Sequence, residues 1–293
     1  MIVTIHNDQL TLTADTLGAQ MQRITSYKGT EYLWNGDERY WKGRAPVLFP
    51  FVARLKDKTY TVNGGTYQMK IHGFASACEF EVAEQTESRV TFVLRDNEVT
   101  RAQFPFAFLF KVRYALKEST VEVTYTVDNP EDEMLHFGLG GHPGFNVPLK
   151  EGTSFEDYYL RFSQPCEPDR VGFSSEILVS GVDKRYELEG GQIIRLRHDL
   201  FDHDAIVLKN MAKSVTIASD KTKRYVTVSY PQMPYVGFWH AERKDAPYVC
   251  IEPWVSLPAR DGVVEDFACK GDLIHLPGHG SYENTWYITI GEE

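Results

Sequence analysis

Residues 121–130 read Val-Glu-Val-Thr-Tyr-Thr-Val-Asp-Asn-Pro. Val121, Val123, Tyr125 and Val127 alternate with Glu122, Thr124 and Thr126. Successive side chains of a strand point to opposite faces, so this period of two predicts a strand with one buried face. Asp128-Asn129-Pro130 closes it with turn-forming residues. Working outward, the same alternation marks strands over 2–6, 10–14, 90–94, 108–116, 215–218, 225–230 and 286–290. Asn63-Gly64-Gly65, between Tyr60/Val62 and Tyr67/Met69, reads as a hairpin turn, and Gly190-Gly191, between Tyr186/Leu188 and Ile193/Leu196, reads as a second. Helical periodicity is confined to a short turn around 155–159. The polar loops 96–101 and 150–154 are too short to link domains, and no fixed-period repeat or low-complexity tract occurs. The expectation is an all-β fold in which residues 1–293 form one large, mostly antiparallel β-sandwich of long curved sheets.

Composition narrows the function. Lys plus Arg number 31 and Asp plus Glu 41, a formal charge of −10. Nucleic acids and anionic membranes reward clustered Lys/Arg, so neither is an expected partner. Apolar residues make up 42%, enough for a core, yet no run approaches the ~18 that a membrane helix needs. The N-terminal stretch alternates like a strand and lacks the basic and apolar regions of a secretory signal. Cys78, Cys166, Cys250 and Cys269 form no CxxC. They read as reduced thiols in a cytoplasmic protein.

Five places combine polar chemistry with an apolar or irregular setting. His72 precedes Gly73-Phe74-Ala75, just after the first hairpin. His142 sits in Gly140-Gly141-His142-Pro143-Gly144-Phe145-Asn146, where glycine and proline force irregular backbone at the end of an apolar strand. Such places are where a rigid scaffold presents working side chains. Glu252 interrupts Tyr248-Val249-Cys250-Ile251-Glu252-Pro253-Trp254, and a carboxylate in a buried strand is costly unless it is bonded or used. Arg54 ends the apolar segment 48–54, and its planar five-donor fork suits polyol oxygens or a carboxylate. Asp202-His203-Asp204 offers further carboxylates, and Tyr235 and Trp239 offer aromatic faces for a sugar ring or for the core. His198, Asp202, His203 and Asp204 have donor atoms for a metal, but without HExxH or well-defined spacing no metal is expected. No GxSxG, Walker-type loop or GxGxxG appears, which leaves serine-hydrolase and nucleotide-dependent chemistry without support.

Taken together, these stretches resemble the aldose 1-epimerase (galactose mutarotase-like) family. The resemblance rests on Leu17-Gly18-Ala19-Gln20, on APVLFPFVARL at 45–55, on the hairpin leading into HGFA at 72–75, on GGHPGFN at 140–146 and on YVCIEPWVSLPA at 248–259. The matches follow the family's order from 17 to 259. Trp34, Tyr40-Trp41 and LFPF are most similar to a bacterial branch related to a lactose-operon protein. The resemblance implies a β-supersandwich and cofactor-independent interconversion of α and β sugar anomers. It makes His142 the acid that protonates the ring oxygen, Glu252 the base at the C1 hydroxyl and His72 a second catalytic-site histidine. Arg54, Asp204, Asp202, Asn146 and Trp239 are the implied substrate-binding residues, with Asp204 preferred over Asp202. Ser76 stands where the family often has Arg.

Anomer exchange opens the hemiacetal: the ring oxygen gains a proton, the C1 hydroxyl loses one, and the carbonyl rotates before closing. One acid and one base on opposite sides of the C1–O5 unit suffice, contributing ~10²–10⁴-fold, with His142 starting protonated and Glu252 ionised. Two alternatives remain open. A hexose-6-phosphate epimerase requires a basic cluster, for which Arg54, Lys56 and Lys58 are available on one face if they alternate along a strand. A non-catalytic carbohydrate-binding or sensing protein on the same fold is the other. The expected partner is a small sugar, and the assembly is expected to be a monomer or homodimer.

Overall fold

The alternating segment forms strand Thr120–Asp128, which runs antiparallel between Leu109–Lys117 and Ser281–Gly291. Its predicted apolar face is at most 1% exposed from Val121 to Val127. On that face Val123 lies between Tyr114 and Trp286, and Val127 between Phe110 and Tyr282. The other face carries Thr–Thr and Arg–Thr cross-strand contacts. Thr124 bonds Thr285 at 2.9 Å and accepts from Arg113 at 3.2 Å, which covers Thr124 although it points away from the core. This strand is a member of a nine-stranded antiparallel sheet. Its order is Ile193–Arg195, Tyr158–Phe162, Ser214–Ser219, Thr222–Ser229, Ser281–Gly291, Thr120–Asp128, Leu109–Lys117, Arg89–Arg95 and Glu81–Gln85. This computed structural model describes residues 1–292.

A second, eight-stranded sheet contains Ile206–Lys209, Tyr235–Trp239, Tyr248–Trp254, Gly140–Gly141 and Val47–Leu48 in that order, with Gly144–Asn146 also paired to Tyr248–Trp254. One apolar core runs from Val3 to Ile290 and takes Val249, Ile251, Val236 and Phe238 from one face of this sheet. The opposite face contributes Val207 and Trp254 to one smaller cluster and Tyr248 and Cys250 to another. Both faces are therefore covered, which explains why Tyr248–Trp254 reads as a continuous apolar run rather than an alternating one. Close approach is possible because of glycine: a Cβ on Gly140 would lie 2.7 Å from the Trp254 ring.

All seven alternating segments are strands, with ends shifted by a few residues. Asn63-Gly64 is a two-residue turn joining Val62 to Gly65, with φ of 50° and 75°, as a mirror-image hairpin turn demands. Three local expectations are corrected. Gly190-Gly191 does turn the chain, but Ile193–Arg195 then pairs with Tyr158–Phe162 rather than with its own hairpin arm; only Glu189 bridges back to Ile193. Residues 155–159 are a 3₁₀ turn, Phe155–Asp157, followed at once by strand Tyr158–Phe162. Lys56–Lys58 is also a 3₁₀ turn, so Arg54, Lys56 and Lys58 share no strand face, and Lys56 pairs with Glu176 at 2.9 Å.

The two faces of Thr120–Asp128 make a direct contrast. Val123→Ala removes fully buried methyls and should lower unfolding free energy by about 1–3 kcal/mol. Glu122→Ala breaks only the surface pair with Lys117 and should change it by at most ~1 kcal/mol. Urea denaturation of both variants checks this, and equal losses would refute the assigned facing.

Candidate active site

The register of two short strands brings the chain's unusual polar residues together. Gly140 pairs with Trp254 and Gly144 with Cys250 along the same strand. Between them the Ile251 N–H donates to the Pro143 carbonyl at 3.2 Å. Continuing that register sets His142 opposite Glu252. Their side chains meet, with His142 Nε2 3.3 Å from Glu252 Oε2, and both are buried, 8% and 1% exposed. On the other side, Gly237 pairs with Glu252 and Trp239 with Cys250. A Cβ at Gly237 would touch that of Glu252 at 3.4 Å, so glycine leaves space beside the carboxylate. Trp41 stacks on the His142 imidazole with ring centres 5.0 Å apart, and Trp239 meets it edge-on at 5.6 Å.

His72 enters from a strained turn. His72 and Ala53 both have positive φ, 65° and 58°. A Cβ on Gly73 would sit 2.2 Å from the Phe49 carbonyl oxygen, so only glycine fits there. That same carbonyl accepts from the Phe74 and Ala75 N–H groups at 3.0 and 3.1 Å. Two bonds then lock His72 to Ala53. The His72 N–H donates to the Ala53 carbonyl at 2.9 Å, and the Ala53 N–H donates to His72 Nδ1 at 3.1 Å. Nδ1 is thus an acceptor, which leaves the proton of the neutral ring on Nε2. The His72 ring meets His142 edge-on, centres 5.4 Å apart. Arg54 follows directly from Ala53, and its guanidinium lies 3.9 Å from Asp204. Asp204 also has positive φ, 69°, and accepts from the Ala205 N–H at 2.7 Å.

These groups line one open cavity of about 470 Å³. It takes Arg54, His72, His142, Asp204, Trp239 and Glu252 from the residues singled out in the sequence. Two of the implied substrate-binding residues are elsewhere. Asn146 donates to the Glu31 and Leu33 carbonyls at 2.9 and 3.1 Å, tying the strand beside Tyr248–Trp254 to the chain before it. Asp202 lines an adjoining cavity with His203, because the left-handed turn at Asp204 aims the neighbouring carboxylates differently. His198 faces His240, Nδ1 to Nε2 at 3.1 Å, rather than joining a ligand set with Asp202. Trp41, Trp254 and Glu242 line the cavity without having been foreseen there, and Ser76, noted where the family often has Arg, lines it too. The signal for Trp254 was present: Cys250, Glu252 and Trp254 occupy alternate positions of one strand. Trp41 carried none, since it lies outside any strand.

Burial governs the electrostatics. It pushes His142 well below the ordinary imidazole range, helped by the nearby His72. It raises Glu252 well above the carboxylate range, helped by Asp204 and opposed by the Trp254 indole. Both directions favour a neutral imidazole beside a protonated carboxyl over the imidazolium and carboxylate. The two descriptions contain the same number of protons and differ only in which partner holds one.

Residues 1–259 match the aldose 1-epimerase family, and the chain belongs to it. It is 33% identical over 266 residues to the chromosomal LacX protein of Lactococcus lactis subsp. lactis, covering 88% of each chain. The crystal structure of a galactose mutarotase related enzyme from Lactobacillus acidophilus superposes with a TM-score of 0.95 at 34% identity, over 100% of this chain and 98% of that one. A galactose mutarotase-like protein from Lactobacillus casei gives a TM-score of 0.92 at 30% identity, over 99% and 100%. The fold is therefore the galactose mutarotase-like β-sandwich that the resemblance implied.

Burial, with Arg54 nearby, lowers His72 to about 4. Its ¹⁵N NMR signals should show a bare Nδ1 and a protonated Nε2, unchanged from pH 8 to pH 5. The unfolded chain binds this proton near 6.5, so His72 makes stability rise with pH between about 4 and 6.5. A His72 titration near 6.5 would contradict the locked tautomer.

Proposed function

We propose that this protein is a cofactor-independent aldose 1-epimerase that interconverts the α and β anomers of an aldohexose. The contact of His142 with Glu252 in an open cavity whose aromatic and apolar walls also carry Arg54, His72 and Asp204 carries this reading. O1 and O5 of a pyranose are both bonded to C1, so an adjacent acid and base reach them from one edge rather than from opposite sides. His142 gives its proton to O5 while Glu252 takes the proton from O1. The sugar opens to the aldehyde, and the charged pair becomes the neutral pair that burial favours. Closure from the other face reverses both transfers. The shared proton must first move from Glu252 to His142, and the buried setting then favours the two ring-opening transfers, which return the pair to its neutral form.

In this reading His72 Nε2–H donates to a substrate oxygen, Arg54 and Asp204 bind hydroxyls, and Trp239 with Trp41 forms a wall against the ring. The continuous core from Val3 to Ile290 supports one domain, and the four unpaired cysteines support a cytoplasmic location. No helix among the described residues is long and apolar enough to cross a membrane.

A second reading, a hexose 6-phosphate as substrate, is favoured by one observation. The adjoining cavity shares Phe173, Ile177 and Glu242 with this one and is lined by Arg170, Lys184 and Arg243. Comparing kcat/KM for glucose and glucose 6-phosphate separates the two, and Arg170→Ala lowers only the phosphate's value if the second holds.

His142→Gln and Glu252→Gln should each lower kcat by at least ~10²-fold with modest change in KM. Asp204→Asn should mainly raise KM. Polarimetry of freshly dissolved α-anomers reads these effects, and near-wild-type kcat in either of the first two variants would remove that residue from the mechanism. Sugar binding that survives in Glu252→Gln, with no wild-type acceleration over buffer, would identify a binding protein instead.

A further inference from the structure

Cys250 lies on the face of Tyr248–Trp254 that carries Glu252, two residues before it, and is fully buried. The mechanism does not use it. Its Sγ, a His142 ring nitrogen and a Glu252 carboxylate oxygen all lie within 4.8 Å of one another, the only such grouping of three among the described residues. Cys250 and Glu252 come from one strand and His142 from the link between the two short strands paired to it, which is why no linear spacing announced them. We infer that His142, Cys250 and Glu252 form a binding site for a thiophilic divalent cation such as zinc(II), and that occupancy blocks the enzyme.

The geometry is close to what such an ion requires. Two N/O ligands each ~2.0–2.1 Å from a tetrahedral zinc lie about 3.3 Å apart. His142 Nε2 and Glu252 Oε2 are 3.3 Å apart already. A sulfur ligand at ~2.3 Å makes edges of about 3.6 Å with its neighbours, so the group closes on an ion by side-chain movement of about 1 Å from separations of at most 4.8 Å. His142 and Glu252 line the cavity, which gives the ion its entry path. Gly144 faces Cys250 in the ladder, and a Cβ there would lie 3.4 Å from the sulfur.

On binding, the Cys250 thiol and the carboxyl of the pair release their protons to solvent, and the imidazole Nε2 gives its lone pair to the metal. Those are the lone pairs and protons that anomer exchange uses, so the ion inhibits. His142 Nδ1 has no hydrogen-bond partner to orient the ring or raise its basicity. A ligating histidine without that support holds its metal less tightly, which makes the site a reversible one rather than a structural one.

The inhibition rests on the proposed anomerase reading, whereas the coordination does not, so two readouts are needed. Cobalt(II) added to the intact protein should give a thiolate-to-cobalt charge-transfer band. Cys250→Ala and His142→Ala should abolish it, and Cys269→Ala should retain it. Zinc(II) should slow anomer exchange at least ~10-fold, with full recovery on adding EDTA. Cys250→Ala should keep the metal-free rate and need at least ~10-fold more zinc for the same inhibition, and Cys250→Val provides a second thiol-free variant if alanine unfolds the strand. No band, a band that survives loss of Cys250, or zinc inhibition unchanged in both thiol-free variants would overturn the site. A Cys250-dependent band in a protein inactive on every sugar would leave the site standing and refute the anomerase reading alone.

Discussion

An imidazole and a carboxyl in contact, sealed from water on most sides, constrain everything else in this molecule. Two ionised groups at that depth are unfavourable, and an isolated charge more so. Burial pushes the pair toward a neutral form that shares one mobile proton. The same proton makes the pair an acid and a base at once. The fold serves this contact by register. Short strands around His142 lie against the long run containing Glu252, so residues 110 positions apart in the chain meet without either depending on a flexible loop.

The surroundings are organised by the same demand for space and rigidity. Gly140 lets Trp254 pack close, Gly237 clears the flank of Glu252, and Gly73 lets the His72 turn fold onto the Phe49 carbonyl. His72 is held neutral by a backbone N–H rather than by a carboxylate, so it is a donor of fixed orientation and not a competing base. Arg54 and Asp204 face each other across a separation of 3.9 Å, longer than a tight salt bridge, which leaves both with capacity for hydroxyl groups.

The sheets were legible because alternation is a local signal: Val121, Val123, Tyr125 and Val127 identify their strand without reference to any other residue. The pairing at Gly190-Gly191 was not, since the partner of Ile193–Arg195 is a strand some thirty residues earlier that only tertiary packing selects. At the site, His72, His142, Glu252 and Arg54 stood out as polar residues at the ends or within apolar runs. Trp41 did not, because an aromatic in irregular chain has no periodicity to betray its role. Asp202 and Asp204 are indistinguishable in sequence; one left-handed residue decides which enters the cavity. Asn146 was expected at the sugar from its place in a motif, yet its amide braces the backbone there. The protonation of the pair is not legible in sequence, which shows which groups are present, whereas burial biases which form they hold.

The central claim is that the pair opens and recloses a pyranose ring without touching its carbon–hydrogen bonds. Two-dimensional exchange NMR on ¹³C1-labelled aldoses in D₂O tests this most directly. The account predicts α–β exchange peaks that grow with protein concentration well beyond buffer, with no deuterium entering at C2. Deuterium at C2 would reveal enediol chemistry, and exchange no faster than buffer for every aldose and aldose phosphate would contradict the account outright.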